Sequence, residues 1–393
     1  MDFELSEELK MLREMAADFA KEQIAPYADK WDEEHYLPHD EVIKPMGELG
    51  FFGTVIPEQY GGNEMGWLAA MILTEEIARA SSSLRVQINM LELGCAFTIY
   101  RYSQSDEVKE KYIPKLVSGE WLGGFGITEP NAGSDVMGMK STAVDKGDHW
   151  LLNGSKTWIS NADVANCIIY YAYTDREARG KGLSAFVLDL KNEDGSRPEG
   201  ISVTRLDKLG SHSSPTGEIY LDNVKVPKEN ILGNPGDGAK IVFSSLNQTR
   251  LSAAAGGVGL AQACLDESIK YANEREQFGK PIAKQQMIQD QIAQMAIEIE
   301  AARLLVYKAA CQKDAGNLGN TLEVAMAKWK AGEVANFCAQ QALRILGAYG
   351  YSTEYPIARF YRDAPTYFMV EGSANICKWI VALDALGLRK ANR

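Results

Sequence analysis

The sequence predicts an α+β protein that is mostly helical and consists of three parts. Apolar residues recur at helical spacing over about the first 120 residues, which predicts an N-terminal helical domain over 1–122. Short β-rich runs and turn dipeptides follow, which predicts a β domain over 123–230. Long amphipathic stretches return at about Ala239, which predicts a C-terminal helical bundle domain over 239–393.

The helical interpretation of the N-terminal part rests on apolar spacing and on helix-end signals. The first apolar stripe consists of Leu9, Leu12, Ala16 and Phe19. A further helix is expected from Glu41 to Leu49, because Asp40 is a suitable N-cap and Gly50 a suitable stop. Both patterns are typical of helices that bury one face.

The central region changes period and contains the residues that favour strands. Its β-rich runs are 150–152, 167–171, 183–190 and 219–221. Its turn signals are Asn153-Gly154, Asp194-Gly195 and Asp222-Asn223. A compact β domain is therefore expected between two helical regions.

The C-terminal part contains a long apolar stripe and several glycine breaks. The stripe consists of Ile288, Ile292, Met295, Ile299, Ala302 and Val306, and such stripes are most often core. The breaks lie at Gly316, Gly319, Gly347 and Gly350. The Gly-Asn-Pro-Gly-Asp-Gly stretch that ends at Gly238 is the expected hinge between the β domain and the bundle.

The composition excludes several classes of function. A formal net charge of −12 argues against nucleic acid or an anionic membrane as the main partner. The six cysteines form no CxxC pair and the four histidines lack metal-ligand spacing, so free buried thiols and no metal are expected. No secretory signal and no membrane span are evident, which predicts a soluble cytoplasmic protein.

Two short segments of the β domain have the composition of a ligand site. The run 125–135 offers backbone N–H groups and hydroxyls to a flat polar ligand, although an ordinary Pro/Gly turn would read the same way. The run 156–161 sets Trp158 among hydroxyl residues, which suits stacking on a ring system; the alternative is a core tryptophan. No GxGxxG or GxxxxGK[ST] string is present, so a Rossmann or P-loop nucleotide site is not expected.

Two further segments are candidates for a phosphate site and for a catalytic base. Arg275 to Pro281 ends one helix and Gln285-Gln286 begins the next, where phosphate or simply a solvated linker is expected. Glu371 is a lone carboxylate after an apolar run, where desolvation would make it a usable base near neutral pH. On local grounds a solvated Glu at the start of the last helix is the alternative.

These strings, in this order, resemble the acyl-CoA dehydrogenase family over the whole chain. The most specific matches are 128–130 with 132–135, 275–279, 350–356 with 362–364, and 371–373. The resemblance implies an N-terminal helical domain, a central β-barrel-like domain, a C-terminal four-helix bundle and FAD as cofactor. It also implies a homotetramer that shares FAD across a subunit interface, with an electron-transferring flavoprotein as electron acceptor.

The resemblance also implies roles for individual residues. FAD is expected to contact Phe125, Ile127, Thr128, Gly133, Ser134, Trp158, Ile159, Ser160, Arg275, Gln277, Phe278, Gln285, Gln286, Arg344, Gly347, Ser373 and Asn375. The acyl-CoA substrate is expected to contact Ser134, Asn247, Arg250, Leu91, Val370 and Gly372. Glu371 falls on the family's catalytic base, which removes the α-proton of the thioester as the β-hydrogen leaves as hydride to flavin N5.

Within the family, the chain looks most like the non-decarboxylating glutaryl-CoA dehydrogenases of anaerobic bacteria. Val370 precedes the expected base, whereas the decarboxylating relatives have Tyr there. The glutaryl-binding Arg of those relatives falls on Ser81, which leaves the acceptor of a second carboxylate unnamed. An apolar wall at Leu91 would instead favour an alicyclic or short-chain acyl group. An acyl-CoA oxidase and a non-catalytic acyl-CoA-binding protein are the remaining alternatives.

Overall fold

The computed structural model describes residues 4–392 and has helices, then a central sheet, then long helices. This order of elements confirms the predicted fold class. The boundaries at 1–122, 123–230 and 239–393 stay predictions. No helix of the described residues is long and apolar enough to cross a membrane.

The N-terminal region is built from short helices. The α-helices here are α1 (Glu7–Phe19), α2 (Ala28–Glu33), α3 (Lys44–Glu48), α4 (Trp67–Ala80), α5 (Phe97–Tyr102) and α6 (Asp106–Val117). α1 begins where the Ser6 hydroxyl accepts a hydrogen bond from the Leu9 N–H. It buries Leu12 and Ala16, so the predicted stripe faces the core.

The prediction of one helix from Glu41 to Leu49 is wrong in its start and in its regularity. A π-helix, His39–Ile43, leads directly into α3, and Asp40 lies inside the π-helix. The Asp40 carboxylate pairs with Lys44 at 2.6 Å instead of capping. The break coincides with Pro45, whose missing N–H cannot continue a regular hydrogen-bond ladder.

The central region is an eight-stranded sheet in the described residues, in the order β6-β7-β3-β2-β4-β5-β8, with β1 added beside β4. The strands are β1 (Gly123–Gly126), β2 (Thr142–Asp145), β3 (His149–Ser160), β4 (Cys167–Tyr173), β5 (Leu183–Asp189), β6 (Ile201–Arg205), β7 (Thr216–Pro227) and β8 (Ile231–Leu232). Each predicted β-rich run lies in or overlaps one of these strands. β1 and β4 are parallel, and β3 pairs with β7 with register shifts near Gly154 and Ile159.

Strand β4 shows how the sheet is held between two cores. Ile168 and Tyr170 point into a core within the β domain, whereas Ile169 and Tyr171 point into the main core shared with the helices. This alternation follows from the two-residue period of a strand. Both faces of β4 are therefore buried, which explains its continuous apolar sequence.

The C-terminal region is dominated by three long helices. Its elements are α7 (Gly238–Glu274), the hairpin β9 (Glu276–Gln277) and β10 (Lys280–Pro281), α8 (Gln286–Asp314), α9 (Thr321–Leu346), α10 (Ile357–Asp363), α11 (Thr366–Met369) and α12 (Ala374–Ala385). In the predicted stripe, Met295, Ile299, Ala302 and Val306 are buried. The remaining two members pack partly buried against the same core.

The expectation of buried thiols holds for five cysteines and is wrong for Cys311, which is exposed. Cys311 lies on α8, near its C-terminal end. It falls outside the apolar stripe, so it faces away from the bundle core.

Helices α4 and α7 approach so closely that only glycine fits at one point. A Cβ on Gly259 would lie 2.2 Å from the main-chain oxygen of Glu75 and 2.8 Å from the Cβ of Ala78. Neither atom belongs to a flexible side-chain end. The small residues of α7 therefore join the N-terminal helices to the bundle by direct backbone packing.

Gly259→Ala is expected to lower the free energy of unfolding by about 3 kcal/mol, because α4 and α7 must separate. Alanine's better helix propensity, about 1 kcal/mol, is too small to offset this. Gly133→Ala is the matched control, since a Cβ there meets nothing within 4 Å. Chemical unfolding of both variants measures the difference; equal stability would contradict close packing at Gly259.

Candidate active site

Glu371 lies in the short connection between α11 and α12, with a left-handed backbone (φ 55°). The next residue, Gly372, also has a positive φ of 89°. Ser373 then caps α12, its hydroxyl accepting a hydrogen bond from the Ile376 N–H. The acid therefore precedes the helix and is half-buried, unlike a solvated first-turn residue.

Three neighbours hold Glu371 in place. The Asn89 side-chain amide donates to Oε1 at 3.1 Å, and the Thr249 hydroxyl donates to Oε2 at 2.5 Å. The Arg250 Nε donates to the main-chain oxygen of Glu371 at 2.8 Å. A side chain at Gly372 would lie 2.8 Å from the Arg250 guanidinium, so this close approach requires glycine.

The side chain of Asn89 comes from a nine-residue π-helix, Ile88–Ala96, that lies against α7 and the start of the sheet. Gly94 marks the contact, because a Cβ there would lie 3.8 Å from Thr249 and 4.0 Å from Phe125. The wide turns of π-helices frequently occur at functional sites. The π-helix therefore contacts Glu371 through Asn89 and lies close to Phe125 at Gly94.

A cavity of about 580 Å³ opens beside the end of β3. Of the residues predicted to bind FAD, Thr128, Gly133 and Trp158 line it. Trp158 has a φ of 61° and is 60% exposed, so its indole is available for stacking. The side chain of Ile159, in contrast, is buried in the β-domain core, which leaves its backbone for any ligand contact.

A buried ion pair adjoins this cavity, because Glu129 lines the cavity and pairs with Lys156. The role of this pair is not evident in the sequence. Lys156 Nζ lies 2.8 Å from the Glu129 carboxylate, and both side chains are buried. Burial lowers the pKa of Lys156 to about 8, against the attraction of Glu129. Burial opposes ionisation of Glu129, but Lys156 and Ser141 together lower its pKa, so the pair is ionic at neutral pH. The cavity residues on either side of Glu129 are thereby anchored to β3.

Family models match the chain in three consecutive parts. They are the acyl-CoA dehydrogenase N-terminal domain over residues 6–120, the middle domain over 124–224 and the C-terminal domain over 236–386. The chain is 70% identical to a glutaryl-CoA dehydrogenase of Desulfococcus multivorans, with 100% of both chains covered. The chain belongs to the acyl-CoA dehydrogenase family.

Two solved structures of this family show the same fold. One is a glutaryl-coenzyme A dehydrogenase in complex with glutaryl-CoA, with 69% identity, a TM-score of 0.98 and coverage of 100% of this chain and 98% of that chain. The other is butyryl-CoA dehydrogenase from Megasphaera elsdenii, with 36% identity, a TM-score of 0.93 and coverage of 99% and 100%. Acyl-CoA dehydrogenases are FAD flavoproteins, and the cavity, whose lining includes the exposed Trp158 indole and Thr128, suits such a cofactor.

The remaining residues expected to bind FAD do not line this cavity. Phe125 and Ile127 are buried in and just after β1, and Ser160 ends β3. Seven others lie around the β9–β10 hairpin, the start of α8 and the end of α9: Arg275, Gln277, Phe278, Gln285, Gln286, Arg344 and Gly347. The Arg275 guanidinium packs 5.3 Å from the ring centroid of Tyr349, and Phe278 is 93% exposed. Ser373 and Asn375 lie at the start of α12 instead.

The residues expected to contact the acyl-CoA are only partly brought together. Arg250, Val370 and Gly372 adjoin Glu371, whereas Asn247 uses its side-chain amide on the Leu318 carbonyl at 3.0 Å. Leu91 is fully buried in the π-helix. Ser134 is exposed next to the cavity residue Gly133.

The structure also identifies a cation that sequence reasoning missed. Arg85 is 2% exposed, its Nε is buried without a hydrogen-bond partner, and its guanidinium lies 5.1 Å from the ring centroid of Tyr367. Ser81, the position expected to replace a glutaryl-binding Arg, instead holds the local turn through its hydroxyl and the Leu84 N–H. Sequence reasoning did not single out Arg85, since a single Arg near a helix start has no distinguishing pattern.

Proposed function

We propose that this acyl-CoA dehydrogenase converts glutaryl-CoA to glutaconyl-CoA and leaves the terminal carboxylate in place. The observation that carries the proposal is Arg85, a buried guanidinium that forms no ion pair with a described residue. A buried cation without a counter-charge is unfavourable, and a substrate carboxylate would relieve it. The 70% identity to a glutaryl-CoA dehydrogenase supports the same substrate.

The charges around Glu371 support a second anion. Arg250 and Lys328 are also buried, and Lys328 donates to the Tyr367 main-chain oxygen at 2.6 Å. The pKa of Lys328 is lowered to about 8, mainly by burial and also by Arg250 and Arg85, against the opposing effects of Cys377 and Glu371. Three buried basic groups thus contact the segment 367–372, in which Glu371 is the one carboxylate. A dicarboxylic acyl group balances this charge better than a butyryl or alicyclic group does.

In the proposed reaction, Glu371 removes the α-proton of the thioester. The α-C–H is a very weak acid, so the carbonyl oxygen must be stabilised by hydrogen-bond donors as negative charge develops. The main-chain N–H of Glu371 is such a donor, and Arg250 orients the peptide that follows it. FAD, when bound, would supply the acceptor for the β-hydrogen as hydride.

Arg85 and Val370 together favour retention of the terminal carboxylate of the substrate. Loss of CO2 requires the carboxylate to give up its charge, and an ion pair with Arg85 stabilises the charged state over the neutral leaving group. Val370, beside the base, has no hydroxyl to protonate a carbanion at C4. Both features favour glutaconyl-CoA over crotonyl-CoA as product.

Further parts of the proposal rest on the family resemblance. FAD is held by the cavity around Trp158 and by the exposed cluster around Arg275 of a neighbouring subunit, which requires a homo-oligomer and suits a tetramer. Exposure of Phe278 at 93% supports burial by a partner subunit. We propose an electron-transferring flavoprotein as acceptor and the cytoplasm as location.

Glu371→Gln is expected to leave the protein yellow and to abolish anaerobic bleaching by glutaryl-CoA, because an amide cannot accept the α-proton. Stopped-flow absorbance measures the bleaching. Glu92→Gln is the matched control. Glu92 is a buried carboxyl on the π-helix that contacts Glu371 through Asn89, but it accepts hydrogen bonds from Thr54 and Val55 instead. Burial raises its pKa to about 7. Normal bleaching of Glu371→Gln would refute the role of the base.

Anaerobic turnover of the wild-type enzyme is expected to yield glutaconyl-CoA without carbon dioxide. Glutaryl-CoA, cyclohexanecarboxyl-CoA and butyryl-CoA are compared at equal concentration, with the product mass and released CO2 as readouts. Crotonyl-CoA as the product would contradict retention of the carboxylate. Preference for the cyclohexane thioester would contradict the proposed substrate and favour the alicyclic alternative.

Arg85→Met is expected to lower kcat/KM for glutaryl-CoA by about 100-fold, because the substrate carboxylate loses its buried partner. Butyryl-CoA is the matched control substrate, since it lacks the carboxylate, and its kcat/KM should change by less than about 5-fold. Arg85→Lys should recover part of the loss. Equal effects on both substrates would show that Arg85 does not recognise the carboxylate.

A further inference from the structure

Asn89 is a buried polar residue next to Glu371 to which the family resemblance assigns no role here. It is 2% exposed and sits in the second position of the π-helix Ile88–Ala96. Its Nδ2 donates to Glu371 Oε1 at 3.1 Å. Its Oδ1 is buried without a hydrogen-bond partner, so one half of the amide is used and the other half is open.

The two halves of this amide match the two protonation states of Glu371. A carboxylate can only accept hydrogen bonds, which the Nδ2 group satisfies. A carboxylic acid has an O–H to donate, and a buried O–H without an acceptor is unfavourable. Rotation of the amide about its last side-chain bond would present the unused Oδ1 to that proton. The Thr249 hydroxyl on the other oxygen can likewise donate or accept.

We propose that Asn89 is a positioning residue that holds the base in both protonation states. It donates to the ionised carboxylate before proton abstraction and accepts from the carboxylic acid afterwards. This inference rests on the proposed role of Glu371 as base. Asn89 acts only through Glu371 and does not touch the reacting atoms.

Other charged and titratable groups contact the segment 367–372 around Glu371. Arg250 on α7 bonds the main-chain oxygen, Lys328 on α9 bonds the Tyr367 carbonyl, and Arg85 precedes the π-helix. Cys377 on α12 lies with its sulfur 3.9 Å from the Gly372 carbonyl. None of these four hydrogen-bonds a carboxylate oxygen of Glu371, and all remain when Asn89 is replaced. Asn89 and Thr249 are the carboxylate's hydrogen-bond donors in the described residues.

The test is the pH dependence of flavin reduction by glutaryl-CoA in the FAD-loaded enzyme. Asn89→Ala removes a partner from both forms, but the hydrogen bond to the ionised carboxylate is the stronger of the two, so protonated Glu371 is favoured. The acidic limb of the rate profile should therefore move up by about one pH unit. The plateau rate should fall about tenfold, because the acid form loses its acceptor. Asn89→Asp should move the limb further, since two adjacent carboxyls compete to stay protonated.

Thr98→Val is the matched control. It removes a buried hydrogen bond of 2.9 Å to Ser245 between α5 and α7, so it perturbs the same part of the core without contacting Glu371. Its pH profile should coincide with that of the wild type. Thermal unfolding of the free proteins provides a second readout, in which the Asn89→Ala and Glu371→Ala effects should be non-additive.

The outcomes separate this inference from the proposed function. A Tm loss in Asn89→Ala with an unmoved acidic limb would show a structural role only and overturn the inference. The same follows if Asn89→Asp moves the limb no further than Asn89→Ala. If Glu371→Gln still bleaches the flavin, the proposed function itself fails; if Glu371→Gln is inactive and the Asn89 profiles are unchanged, only the inference fails.

Discussion

The whole site depends on one constraint: residue 371 must hold a left-handed backbone next to the bundle. Arg250 maintains it by donating to the Glu371 main-chain oxygen, and Gly372 leaves room for the guanidinium. A non-glycine residue in this conformation costs roughly 1 kcal/mol or more, which a hydrogen bond from a charged donor can offset. The turn then directs the carboxylate away from α12 and toward the π-helix.

The charge distribution follows from that geometry. Arg85, Arg250 and Lys328 contact the segment that carries the half-buried Glu371 carboxylate, and the Arg85 Nε is buried without a hydrogen-bond partner. Such a surplus of positive charge is unfavourable in the free protein. We propose that part of the site's selectivity for the acyl group comes from this unbalanced charge. This is a more discriminating device than pocket size, since an extra apolar carbon alone changes binding by only about 1–3 kcal/mol.

Two buried contacts away from Glu371, one ionic and one of close packing, fix the positions of the surrounding elements. The Lys156–Glu129 pair anchors the cavity segment to β3, and the close contact of Gly259 with α4 anchors the bundle to the N-terminal helices. Both contacts fix the position of the backbone, the first in the segment around Glu129 and the second where α4 meets α7. The π-helix joins the Glu371 turn to the sheet, so a shift in either anchor would be transmitted to Glu371.

The sequence by itself determined the fold class, the order of the elements, the family and the lone carboxylate, because apolar periodicity and ordered motifs are local properties of the chain. It missed the split near Asp40, where Pro45 interrupts a regular helix, and it left the acceptor of a second carboxylate unnamed. Only the tertiary structure decided that Asn89, Thr249 and Arg250 converge on the Glu371 turn and that Arg85 is buried beside Tyr367. Their side chains come from elements far apart in sequence, and no local pattern records which long-range neighbours a buried charge will lack.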